Sequence, residues 1–332
     1  MHKEAVTRLR PWLFVGTIPE ADFPLVFSPF SVTEGNVCFG SHRCAVNRGT
    51  PAMLAAASLI HAHIQPDVSR KNILYVLAAG DTGKGLGSRE VYRKLVEILS
   101  SLRPLGITFH YLLPDVDWHN RILAEIEALP ERPMLIADAG YMYAAKMSGY
   151  AEHYDLFTPD IGELAFLADE SAPHPFYTRN FLLADEEQAE ELIFRAYAGN
   201  NAARYMLVKG SVDRYVHNGA ILAEVDTPDV PMLEPVGGTG DTLTGIVSAL
   251  AASGVEMHSA CMAAFKINRH MGFLAQPTPA SSVMELLAFL SSAYHSVTEF
   301  DKKHCKQAYT SGRSSAVSPG RSGKSADMPA GG

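Results

Sequence analysis

The segment Gly237-Gly238-Thr239-Gly240-Asp241-Thr242-Leu243-Thr244-Gly245 sets a carboxylate just behind a glycine-rich turn, at the head of an apolar periodic run. Glycines let the backbone approach a ligand closely, and the first N–H groups of a helix starting here lack partners inside it. With the helix dipole they make an anion site suited to a transferring phosphoryl group. Asp241 can take a proton from an attacking hydroxyl while the N–H groups around Gly238, Thr239 and Gly240 hold developing negative charge. A proton acceptor beside an anion cradle is what phosphoryl transfer to an alcohol requires. The same letters also describe a tight turn with Asp241 and Thr242 capping a helix, and the segment alone does not separate the two.

A second glycine-rich loop, Gly80-Asp81-Thr82-Gly83-Lys84-Gly85-Leu86-Gly87-Ser88, follows an apolar run and precedes a helical pattern. Its spacing fits neither a Walker A loop, because Lys84 is followed by Gly85 rather than Ser or Thr, nor a G-x-G-x-x-G fingerprint. A loose anion nest remains, with Asp81 or Lys84 touching a polar group, or a plain connection with a helix cap at Ser88.

The elements that must position these residues alternate. Ile73 to Leu77 is a continuous apolar run, as expected of a strand covered on both faces, and Val91, Leu95, Ile98 and Leu102 share one helical face after it. Strands follow at Ile107 to Leu113, Met134 to Ile136, Asp155 to Phe157 and Tyr205 to Val208, with helical patterns between them. This β-α repetition predicts a three-layer α/β/α fold on a mainly parallel, doubly wound central sheet. Asn218-Gly219 between β-prone runs predicts a type I′ hairpin, and Ser282-Val283-Met284-Glu285 a capping box. Leu243, Ile246, Val247 and Leu250 make one face of the helix behind Asp241, which Gly254 can end; a second helix runs from about Ser259 to Leu274.

On the stretch Val236 to Leu250, with Pro277-Thr278-Pro279-Ala280 downstream, the sequence resembles the ribokinase-like superfamily, and within it the ATP- or ADP-dependent NAD(P)H-hydrate dehydratases. Thr158-Pro159-Asp160-Ile161-Gly162-Glu163, Met206-Leu207-Val208-Lys209-Gly210 and Met134 to Gly140 follow that family's order, so the resemblance covers roughly residues 70 to 290. It implies a ribokinase-like fold, with Asp241 as base and Gly238, Thr239 and Gly240 as anion hole. It implies that Glu163 with Asp160 orients Mg²⁺ through water, that Lys209 and Gly210 lie by the phosphates of ATP or ADP, and that Thr242 and Asn268 belong to the nucleotide side. Asp138, and the loop of Gly80, Asp81 and Lys84, fall on the substrate side. It also implies an assembly of identical chains. Asp160 is equally well described as the N-cap of a helix beginning Ile161-Gly162-Glu163. The sequence departs from the pattern where Ile136 and Tyr141 replace an Asp and an Asn, and where Asp160 replaces a His.

The whole chain limits the partners. It has 332 residues, 47% of them hydrophobic, and a net charge of -8, which suits a sizeable α/β core and argues against a general nucleic-acid binder. Cys38, Cys44, Cys261 and Cys305 are scattered without metal or disulfide spacing, as expected in a reducing compartment. Trp12 to Val15 is too short for a secretory signal and no run suits a membrane span, so a cytoplasmic protein is expected. Residues 1–70 read as an N-terminal extension packed on the core, a lid or dimer arm carrying Arg43, Asn47 and Arg48. Residues 71–300 read as the catalytic domain and 301–332, rich in Ser, Gly and Pro, as a disordered tail. The leading expectation is nucleotide-dependent dehydration of hydrated NAD(P)H. A small-molecule kinase and a non-catalytic nucleotide-binding regulator are the alternatives.

Overall fold

The structure is a computed structural model that describes residues 10–65, 74–175, 178 and 186–299. The expected disordered tail, 301–332, lies outside the described residues, as does Cys305.

The strands are β1 Trp12–Ile18, β2 Val26–Pro29, β3 Ser31–Thr33, β4 Asn36–Phe39, β5 His42–Ala45, β6 Leu74–Gly80, β7 Gly106–His110, β8 Met134–Ala137, β9 Leu156–Phe157, β10 Tyr205–Val208, β11 Asp213–His217 and β12 Ala220–Val225. The helices are α1 Thr50–Ile64, α2 Leu86–Leu102, α3 Val116–Glu127, α4 Ala139–Met147, α5 Ile161–Ala168, α6 Ala189–Ala198, α7 Thr239–Ala252, α8 Met257–Ala275 and α9 Val283–Leu287. Nine strands form one sheet in the order β12-β11-β10-β9-β8-β7-β1-β6-β2, and β3, β4 and β5 form a separate small sheet. From β10 through β6 the neighbours run parallel; β2 closes one edge antiparallel and the β11–β12 hairpin closes the other. Helices cover both faces of the sheet, the three-layer arrangement the alternation predicts. Trp12, Phe14 and Ile18 of β1 pack with α1, α7, α8 and the small sheet. Leu13 and Val15 face the opposite way, among α2, α3, α4, α5 and α6.

The reading of residues 1–70 as an extension is corrected. β1 is a central strand, buried at every position and paired in parallel with β6 on one side and β7 on the other. α1 packs against α7, and the described part of this region thereby completes the main core; β3–β5 alone stand apart as a small sheet. The short apolar run at Trp12 is followed by antiparallel strands, so the β-α rhythm that marks the rest of the sheet is hidden there.

Two glycines let the layers meet. A Cβ on Gly16 would lie 2.6 Å from Thr50 Oγ1 and from the His110 carbonyl, and a Cβ on Gly245 would lie 2.2 Å from the Met53 carbonyl. Helix α1 can therefore sit close on both β1 and α7. The Asn218-Gly219 turn has both residues at positive φ, 49° and 84°, as the type I′ reading requires. Ser282 and Glu285 form the expected capping box. Gly254, at φ 85°, follows α7 as its terminator. No helix among the described residues is long and apolar enough to cross a membrane.

Candidate active site

The C-terminal ends of the parallel strands bring the chemistry to one edge of the sheet. His110 ends β7, Asp138 follows β8, Thr158 and Asp160 follow β9, and Lys209 follows β10. Such an edge is where open α/β sheets take their ligands.

Helix α7 points its N-terminus at the same place. Its N-cap Gly238 stands at φ 104° and has no side chain with which to cap the first-turn N–H groups. Asp241 is the third residue of the helix and is 8% exposed. Its Oδ2 accepts from the Gly49 N–H at 2.6 Å, and its Oδ1 lies 3.1 Å from His110 Nε2. Burial pushes this carboxyl up, but the His110 contact, the Gly49 amide and Lys209 outweigh it and hold the group below the ordinary aspartate range.

Asp138 is buried and caps α4 through the Ala139 N–H. Its Oδ1 pairs with Lys209 Nζ at 3.1 Å, its Oδ2 accepts from Thr244 Oγ1 at 2.6 Å, and His110 Nε2 lies 3.6 Å from Oδ2. Because the Thr244 proton is committed to Asp138, the Thr158 hydroxyl donates to Thr244 across their 2.9 Å contact. Lys209 also reaches Glu163 at 3.8 Å and lies 3.4 Å from where a Gly240 Cβ would stand, so its ammonium rests over the first turn of α7. Burial lowers the lysine's pKa, but Asp138, Glu163 and Asp160 more than reverse that and hold it charged.

Asp160 and Glu163 are tied together. Asp160 Oδ1 accepts from the Glu163 N–H at 2.8 Å and Glu163 Oε2 from the Asp160 N–H at 2.9 Å, a complete capping box at α5. The cap described by the letters is thus present. Burial first, then the neighbouring Asp160 and Asp138, push Glu163 up; Lys209 and the capping bond oppose them only in part, and the carboxyl stays raised above the ordinary glutamate range.

The remaining expected residues divide. Thr242 Oγ1 donates to Asn268 Oδ1 at 2.7 Å and Asn268 Nδ2 donates to the Thr239 carbonyl at 3.1 Å, which binds α8 to the first turn of α7. Gly210 donates its N–H to Asp213, and its carbonyl accepts from buried Arg269. Gly80, Asp81 and Lys84 stand at the end of β6, two strands and about 10 Å from the β7 end by ordinary strand spacing. Here the Asp81 reading is corrected. The loop's anion nest is real, but it holds the Asp81 carboxylate itself: Oδ1 accepts from the N–H groups of Gly83, Lys84 and Gly85, and Oδ2 from the Ser88 N–H and hydroxyl. Those donors hold the carboxyl below its usual range against the effect of burial. Ser88 is not the cap of α2; Gly85 is. Lys84 is exposed. A Cβ on Gly80 would meet the Glu20 carbonyl at 2.1 Å, so Gly80 is closed in by backbone.

His110, Gly49, Thr50, Thr158 and Thr244 complete the cluster and were not legible as site residues. His110 had one usable signal, a polar residue inside an apolar run where a parallel strand ends. Gly49 lies ahead of α1 and contributes only its backbone.

Fold and site together define an α/β protein of ribokinase-like architecture with an aspartate-headed helix at the ligand edge. The chain belongs to the NAD(P)H-hydrate dehydratase family, which matches residues 113–291. An uncharacterized protein of Methanocaldococcus jannaschii is 37% identical over 219 residues, 66% of this chain and 90% of the relative. Among solved structures, the ADP complex of Bacillus subtilis pyridoxal kinase is similar with a TM-score of 0.47 at 16% identity, covering 78% of this chain and 90% of that one. Escherichia coli phosphofructokinase-2 with substrates and products has a TM-score of 0.48 at 14% identity, covering 85% and 99%.

Proposed function

We propose that this protein removes water from hydrated NAD(P)H at the expense of ATP or ADP, with Asp241 as the general base. The observation that carries this reading is the buried Asp241 carboxylate at the third position of α7, held by two donors beside an uncapped first turn, in a chain of this family. Asp241 takes the proton of the substrate hydroxyl as its oxygen attacks the terminal phosphoryl group. The O–P bond to the leaving nucleotide breaks as the new one forms. The C–O bond then breaks with its electron pair leaving on phosphate, and a proton is lost from the adjacent carbon as the double bond forms. The substrate has thereby lost the elements of water, while the nucleotide has lost its terminal phosphoryl group.

The N–H groups of Gly238, Thr239 and Gly240 receive the charge on the transferring group. Lys209, already over that turn, neutralises phosphate oxygens, and Asp138 with Thr244 holds it there. Thr242 and Asn268 serve the nucleotide side by fixing the first turn of α7. A hydrated Mg²⁺ fits the donor set. Glu163 and Asp160 offer carboxylate oxygens that keep lone pairs after their capping bonds, and these would hold the ion through its waters. Bound there, Mg²⁺ supplies further neutralisation of phosphate charge.

One observation favours a second reading, a kinase for another small alcohol. Ile136 and Tyr141, which replace polar residues of the family pattern, are wholly buried, and Tyr141 stacks on Phe109 with ring centroids 3.9 Å apart. That part of the substrate side has become core. Enzymatically hydrated NADH, incubated with ATP or ADP and Mg²⁺, separates the two. Return of NADH absorbance with release of phosphate, lost in Asp241→Asn, supports the dehydratase. A phosphorylated alcohol that accumulates without NADH recovery establishes the kinase instead.

A further inference from the structure

His110 is buried completely, yet the family resemblance assigns it nothing. Its two nitrogens have separate partners. Nε2 faces carboxylates, Asp241 Oδ1 at 3.1 Å and Asp138 Oδ2 at 3.6 Å, so this nitrogen carries a proton. Nδ1 faces Thr50 Oγ1 at 3.1 Å, which in the neutral ring donates to it. The tautomer follows from the network. Asp138 is otherwise supplied by Lys209, Thr244 and the Ala139 N–H, whereas among the described residues Asp241 has only the Gly49 amide besides His110.

Two buried carboxylates this close tend to share a proton, because their like charges repel in a poorly solvated place. A protonated Asp241 cannot act as a base. We infer that His110 is a positioning residue for Asp241: its Nε2–H lies between the two carboxylates, fixes Asp241 against the Gly49 amide and keeps it able to accept the substrate's proton. The inference rests on the reading of Asp241 as base. Thr50 belongs to the device because its hydroxyl occupies Nδ1, the ring nitrogen turned away from the two carboxylates. Gly16 makes it possible, since a side chain there would collide with both Thr50 and the His110 backbone. The charged groups bearing on His110 are Asp241 from α7, Asp138 from the head of α4 and, beyond Asp138, Lys209; Tyr111 stands beside it, with ring centroids 4.6 Å apart.

The test compares full-length wild type with H110Q, H110L and D241N. A Gln amide reaches the place of Nε2 and keeps a donor there; Leu keeps bulk and offers none. With hydrated NADH and ATP, H110L is expected to lose about 10²-fold in kcat with little change in KM, as expected for misplacement of a reacting group. The acid limb of its pH profile should move up, while in H110Q that limb stays in place. Calorimetric ATP binding retained by all three variants shows that the fold and nucleotide site are intact. A second readout needs no substrate: urea midpoints of H110L, D241N and the double variant, expected to be non-additive because the residues share one contact. Additive midpoints, or an acid limb unmoved in H110L, would overturn the role of His110. Coupled midpoints in a wild type that restores no NADH support the His110–Asp241 pair and count against the dehydratase reading alone.

Discussion

Asp241 combines properties that seldom coincide: burial, a helix-head position and a carboxyl held in its charged form. Desolvation alone would protonate it, and two donors, His110 and the Gly49 amide, with the charge of Lys209 reverse the balance. Asp241→Asn keeps the shape and removes the proposed base, so turnover should fall about 10²- to 10⁴-fold in a steady-state assay with nucleotide binding retained. The sign of the pH effect follows from the direction of the shift. A base held below the ordinary aspartate range stays proton-free as pH falls through that range, and activity should be lost only further into acid. Tyr111, on the rim of the site, behaves oppositely. Burial, then the charges of Asp241, Asp138 and Glu163, push its phenol up to about 12, so it remains a neutral donor at all working pH values.

At the scale of the element, the head of α5 carries two roles that substitution can separate. Asp160→Ala removes the cap and should cost about 1 kcal/mol, read as a lower unfolding midpoint, whereas Asp160→Ser can keep it. If Asp160 also holds the waters of Mg²⁺, the Ser variant retains its midpoint and needs more Mg²⁺ for half-maximal turnover. An unchanged Mg²⁺ requirement in that variant would leave Asp160 as a cap alone. The α1–α7 contact has less tolerance. In Gly245→Ala the new carbon meets the Met53 backbone carbonyl at 2.2 Å, which no side-chain rotation relieves. A loss of about 1–3 kcal/mol by urea unfolding is expected. Because α1 carries Gly49 and Thr50 at its head, turnover should fall with it.

Across the whole molecule, the position of β1 makes the first strand indispensable. A chain beginning at residue 71 would leave β6 and β7 without the strand between them, and should fail to give a cooperative unfolding transition by circular dichroism. Stability should also depend on pH through His119, which is buried against Tyr154. Desolvation lowers its pKa from 6.5 to about 4, over an opposing contact with Asn120. The unfolded chain therefore binds the extra proton between those two values. Stability is complete above about 6.5 and is lost as pH falls toward 4, by about 3 kcal/mol at most. His119→Gln should flatten that part of a urea-midpoint profile, and an unchanged slope would show that other groups carry it.

The sequence by itself determined what neighbouring residues decide among themselves. The β-α alternation, the hairpin at Asn218-Gly219, the N-cap at Asp160, the capping box at Ser282, and the glycine turn ahead of Asp241 all rest on contacts a few residues long. What the tertiary structure alone decided lies between distant segments. The Gly49 amide and Asp241 are 192 residues apart, and His110 and Asp241 are 131 apart, so no local pattern announces either bond. The same holds for β1, whose partners β6 and β7 come much later in the chain. The local helix start leaves first-turn N–H groups without a side-chain cap; a charged Asp241 requires the partners that folding delivers to it, because a carboxylate keeps its charge in a buried place only when donors replace the water it has lost.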